Sequence, residues 1–141
     1  MRIREILHAK SSDVVTLRPS STIRELIELL AEHNIGAVIV ADDENPVLGI
    51  VSERDVVRRL TSGEDILATA VEEIMTREVK TAAPNDSVDD LMLIMTEHRI
   101  RHVPVVTGDG LRGIVSIGDV VKSRIGELEF ERDQLESYVQ S

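Results

Sequence analysis

At 141 residues, with 42% hydrophobic and 30% charged side chains, the chain has the balance of an ordinary globular protein, long enough for one core or two intimately packed ones. A formal net charge of −10, with a single Phe and a single Tyr, argues against a phosphate-backbone binder and leaves no aromatic platform for stacking nucleic acid. The absence of Cys removes disulfides, thiolate chemistry and Cys-ligated zinc.

Ile3, Ile6 and Leu7 lie at helical spacing and predict a short amphipathic helix over residues 2–9. The N-terminus is charged at once and carries no apolar signal core, so a cytoplasmic chain is expected. Residues 14–17 read as a brief strand ended by Pro19. Thr22 and Glu25 form a capping-box pair opening a helix that runs through His33 and stops at Gly36. Residues 37–41 are continuously apolar, as a strand buried on both faces requires, and this longest apolar stretch is far too short to cross a bilayer. A polar turn follows over residues 42–46, then a strand over 47–51, then a helix from Ser52 to about Leu60.

Residues 64–78 form a connector in which Val71, Ile74 and Met75 echo the N-terminal helix. The plan then repeats: a strand at 79–81, a break at Pro84, a helix from Ser87 to His98, and strands over 103–106 and 111–115. Pro104 inside a strand favours an edge position. The helix after Ser116 has no evident stop before Tyr138. Its Ile125, Leu128, Leu135 and Val139 fall at a/d-like spacing, broken by Arg132, which suits a docking helix better than a long coiled coil.

The repetition is in register. Pro19 and Pro84, His33 and His98, and Val38 and Val103 are each 65 apart, while Gly49 and Gly113, and Asp55 and Asp119, are 64 apart. Each half contains Gly-Ile-Val-Ser-x-x-Asp followed by Val-Val and a basic residue. That is a strand-to-helix corner with a hydroxyl and a carboxylate at the helix mouth, where free backbone N–H groups favour an anion. Ser-x-x-Asp is also an ordinary capping box. The matched glycines favour the binding reading, because a cap needs no upstream Gly and close approach of a ligand to backbone does.

Strand–helix–strand–strand–helix, twice, with Ile74-Met75-Thr76 entering the second copy, resembles a tandem cystathionine-β-synthase (CBS) domain pair, or Bateman module. Thr81-x-x-Pro84, Arg101-His102-Val103-Pro104-Val105 and the two corners carry the resemblance, which covers residues 1–125. It implies an α/β fold of two pseudo-twofold repeats, each β-α-β-β-α with a three-stranded sheet and two helices. The expected units are 1–63, a connector 64–78, 79–124, and a helical extension 125–141.

The resemblance also implies a cleft for adenosine ligands: AMP, ADP or ATP, with NAD or S-adenosylmethionine as further options. Asp55 and Asp119 would accept the ribose hydroxyls, and Ser52 and Ser116 would face phosphate. Thr16, Thr81, Val38 and Val103 would line the adenine pockets. A carboxylate suits a cis-diol, as in dinucleotide-binding folds. Arg99 and Arg101, found only in the second half, are expected beside Asp119 to take phosphate, leaving Asp55 facing Gly36 and Ala37 and making the second pocket the surer site.

His98 and His102 are four apart but straddle a helix end and a strand, and the chain shows no metal set, nucleophile–base pair or phosphate loop. The expected function is therefore non-enzymatic, needing no cofactor beyond an adenine nucleotide as ligand. It is a stand-alone regulatory module acting in trans on a protein target, with neither nucleic acid nor membrane as partner. The alternative is a homodimeric scaffold with unliganded pockets. Homodimerisation is expected in either case, because a lone module would leave Ile3, Ile6, Leu7, Val71, Ile74 and Met75 partly exposed.

Overall fold

The structure is a computed structural model that describes residues 1–10 and 14–140; Ser141, the last residue of the expected extension, lies outside it. In chain order the elements are α1 (Ile3–Lys10), β1 (Thr16–Leu17), α2 (Ile23–His33), β2 (Ala37–Val40), β3 (Gly49–Ser52) and α3 (Glu53–Leu60). A 3₁₀ turn (Val71–Glu73) precedes α4 (Val88–His98), β4 (His102–Thr107), β5 (Gly110–Ser116) and α5 (Ile117–Gln140). The α/β repeat architecture is as expected. The connector forms only the 3₁₀ turn where its apolar spacing echoes a full helix.

Local chemistry sets the helix ends. Thr22, Ser52 and Ser87 each accept the backbone N–H three residues on, an N-cap that stabilises a helix by about 1 kcal/mol. Helices α2 and α4 end at Asn34 (φ 51°) and Arg99 (φ 54°), both left-handed. The stop of α2 is therefore Asn34, two residues before Gly36, because Asn tolerates that conformation well.

The sheets differ. In the first half β1 runs parallel to β2, pairing Thr16 with Ile39 and Leu17 with Val40, and β2 is antiparallel to β3. The second half has only the β4–β5 hairpin, and the strand expected at 79–81 is reduced to a single parallel bridge between Ala82 and Val105. Pro104 supplies the reason. Ala82 donates to the Pro104 carbonyl and accepts from Val106 N, but extending the ladder to Lys80 needs an N–H at position 104, and proline has none.

Two apolar cores lie under these sheets. One gathers Leu17, Ile23, Leu26, Val38, Val40, Val51, Val56, Ile66 and Val71; the other gathers Ile3, Ile6, Ala82, Val88, Leu91, Met95, Val103, Val105, Val115 and Val120. The N-terminal helix therefore packs in the second half's core, and the connector packs in the first. Backbone bonds match: Ile3 N and Arg4 N donate to Asp86 O and Pro84 O, as Val71 N and Glu72 N donate to Ser21 O and Pro19 O. Hence Ile3, Ile6 and Leu7 correspond to Val71, Ile74 and Met75. All six are buried or packed against a core, which removes the ground on which a dimer was expected. Among the described residues, the large apolar side chains at least half exposed are instead Met1, Val57, Leu60, Leu93, Val121, Ile125, Leu128, Phe130, Leu135, Tyr138 and Val139, all but Met1 on α3, α4 and α5.

Candidate functional site

Between the halves lies a cleft of about 480 Å³, walled by Val14, Val15, the Asn34–Ala37 turn, His102, Arg112–Ile114, Ser116, Asp119, Leu7 and Lys10. The second half's corner thus faces the first half's α2–β2 turn. Both corners form capping boxes. The Ser116 N–H donates to Asp119 Oδ2 at 2.9 Å and Ser116 Oγ accepts from Asp119 N at 3.1 Å; the Ser52–Asp55 bonds are 2.8 and 3.4 Å.

What sets Asp119 apart is Lys10. The ammonium lies 2.9 Å from Asp119 Oδ2 and donates to the Ile114 carbonyl at 2.7 Å. Both Lys10 and the Ser116 N–H reach Oδ2; Oδ1 takes part in neither contact. Burial pushes the Asp119 carboxyl up, but the Ser116 N–H, Lys10 and the Ser116 hydroxyl outweigh it and hold the pKa below 3.8. Burial pushes His102 below 6.5; Lys10 and Arg101 act the same way, against Glu53 and Asp119. This ring sits between the two corners, packed so closely on Gly36 that a Cβ there would meet Nε2 at 3.2 Å.

The expected site residues do not all assemble. Ser116 and Asp119 line the cleft, whereas Ser52 and Asp55 do not. Arg99 and Arg101 do not line it either: Arg99 is the left-handed end of α4, and the Lys and Arg side chains lining the cleft among the described residues are Lys10 and Arg112. Thr16 and Thr81 are exposed and outside it. Val38 and Val103 are fully buried in the two cores, so their side chains cannot line a pocket. Alternation along each strand points their neighbours Ala37 and His102 to the cleft instead.

The corner glycines also have a packing cause of their own. A Cβ on Gly49 would lie 2.6 Å from Met75 Sδ and 2.8 Å from Thr76 O, and one on Gly113 would lie 2.9 Å from Leu7 Cδ2. They admit the connector and the N-terminal helix. Lys10 was missed from the sequence because its role comes from a contact across 109 positions, which no local motif records.

The CBS domain family model matches twice, at residues 3–62 and 71–126. CBS domain-containing protein CBSX3, mitochondrial, of Arabidopsis thaliana is 37% identical over 124 residues, which are 84% of this chain and 60% of that relative, so the chain spans less than two thirds of its length. Among solved structures, the CBS-domain protein ATU1752 of Agrobacterium tumefaciens is 44% identical with a TM-score of 0.83, the match covering 88% of this chain and 99% of that one. The CBS domain pair of protein MJ0100, solved with 5-methylthioadenosine and S-adenosyl-L-methionine, is 29% identical with a TM-score of 0.80, over 90% of this chain and 98% of that one. Two matched repeats, and the fold that carries them, show that this chain belongs to the CBS-domain family.

Proposed function

We propose that the chain is a regulatory module that binds an adenosine-containing ligand in the Asp119 cleft and passes its occupancy to a protein partner in trans. The observation that carries this reading is an ionised carboxylate on the wall of an open cleft between repeats, with one oxygen outside the existing contacts. That arrangement suits a ribose diol, and the adenosyl ligands of MJ0100 support the class. In this reading Asp119 accepts ribose hydroxyls, Ser116 lies toward phosphate, and Ala37 and His102 replace Val38 and Val103 as pocket walls. Asp55 and Ser52 serve α3 as its cap.

The experiment is a thermal-shift panel of AMP, ADP, ATP, NAD, S-adenosylmethionine and GTP, followed by calorimetry on Asp119→Ala and Asp55→Ala. A ligand at 100 times its Kd adds about 2.7 kcal/mol of stability. Asp119→Ala is expected to lose roughly 10- to 150-fold in affinity, the equivalent of about 1.5–3 kcal/mol. Asp55→Ala keeps its affinity; both variants lose stability as caps, and Asp119→Ala loses more because it also removes the partner of Lys10. Equal affinities in all three proteins reduce both carboxylates to caps and defeat the proposal.

A further inference from the structure

The two halves treat equivalent carbonyls differently. In the first half the Ile50 carbonyl accepts the backbone N–H of Thr76 at 2.9 Å. Its counterpart, the Ile114 carbonyl, accepts the Lys10 ammonium at 2.7 Å. The spacing of 68 that relates Ile3 to Val71 carries Lys10 onto Glu78, so no cation holds this place in the first half. An ammonium has three N–H donors, and Asp119 and Ile114 take two of them. The third is spare at the edge of the cleft that Lys10 lines. Asp119 is the sole carboxylate among the described residues lining this cleft, and Lys10 already neutralises it.

On the reading of this cleft as an adenosyl-ligand site, we propose that Lys10 is its specificity-determining residue, favouring adenosines that carry a phosphate over neutral or cationic ones. A neutral nucleoside placing its diol on Asp119 shares that carboxylate with Lys10 and offers the ammonium nothing in return. A nucleoside phosphate brings an anion to the spare donor, a charge-assisted contact in a partly enclosed site. A sulfonium brings a like charge close to Lys10 and Arg112, which disfavours it. His102, held largely uncharged at neutral pH by its burial, adds no competing charge. The preference therefore runs opposite to the neutral and cationic adenosines found with MJ0100.

The test is calorimetric titration of AMP, adenosine and S-adenosylmethionine into the parent chain, Lys10→Met and Lys10→Arg, with melting curves confirming that each is folded. The parent is expected to bind AMP at least 10-fold tighter than adenosine or S-adenosylmethionine. Lys10→Met should bring AMP to within about 3-fold of adenosine and leave adenosine itself no weaker, since the diol no longer shares Asp119 with an ammonium, while Lys10→Arg keeps the preference for AMP. A parent that binds adenosine and AMP equally overturns the proposal without recourse to any variant, as does a folded Lys10→Met that keeps the parent's ratio. A parent that binds none of the three overturns the adenosyl-site reading and this proposal with it, whereas the first two outcomes leave that reading standing.

Discussion

His102 shows how one partly buried side chain records the meeting of the repeats. It reaches Gly36 across the cleft and feels Glu53 of one corner and Asp119 and Lys10 of the other. Its folded pKa lies below 6.5, so near neutral pH it is neutral in the fold, while the unfolded chain takes up a proton first on acidification. Its contribution to stability is complete above about pH 6.5 and declines as pH falls toward the lowered folded value. Melting temperatures of the parent and His102→Gln between pH 7.5 and 5 check this: the parent's fall through that window should be steeper than the variant's, and parallel curves refute it. Asp119, held below 3.8, loses its contribution only at more acid pH, so the two effects separate.

At the scale of elements, the corner strands are shaped by what crosses them. The connector passes so close to β3 that Gly49 leaves no room for a Cβ beside the Thr76 carbonyl, which is backbone and cannot swing away. Gly113 faces only the end of the Leu7 side chain. Gly49→Ala should therefore cost about 1–3 kcal/mol, the usual range for overpacking, and Gly113→Ala clearly less. Urea unfolding of the two variants checks the order; equal losses would show that Met75 and Thr76 yield as readily as Leu7. The same contrast between backbone and side chain separates the halves elsewhere. Pro104 removes a ladder donor from one sheet, and Lys10 stands in for a backbone N–H beside it.

For the whole molecule, exposed apolar side chains concentrate on α3, α4 and the outward face of α5 rather than on α1 and the connector. Val121, Ile125, Leu128 and Leu135 continue one stripe along α5, more than half of whose length extends past the last residue it buries, Val120. We infer that two modules associate through this surface. Sedimentation equilibrium at micromolar concentration is expected to give the mass of two chains, and Leu128→Glu with Leu135→Glu to weaken the association at least 10-fold. A parent that sediments as one chain refutes the dimer, and a dimer untouched by those substitutions moves the interface to α3 and α4.

The in-register repeat, apolar periodicity and Ser/Thr caps were enough to locate almost every helix and strand and to identify the family, because these are local or repetitive signals. The carboxylates at the two corners were equally legible, since a capping box is written in four consecutive residues. Which corner opens onto a cleft was not, because that depends on how one half docks on the other. Val38 and Val103 share a matched position with the right chemistry for a pocket, yet strand alternation turns them into the cores. Arg99 and Arg101 lie just ahead of β4, the partner of the second corner's strand, yet the cleft there is lined by Lys10 and Arg112 instead. Lys10 reaches Asp119 only because α1 is built into the second repeat's core, and that exchange of segments, decided by packing between the halves, was settled by the tertiary structure alone.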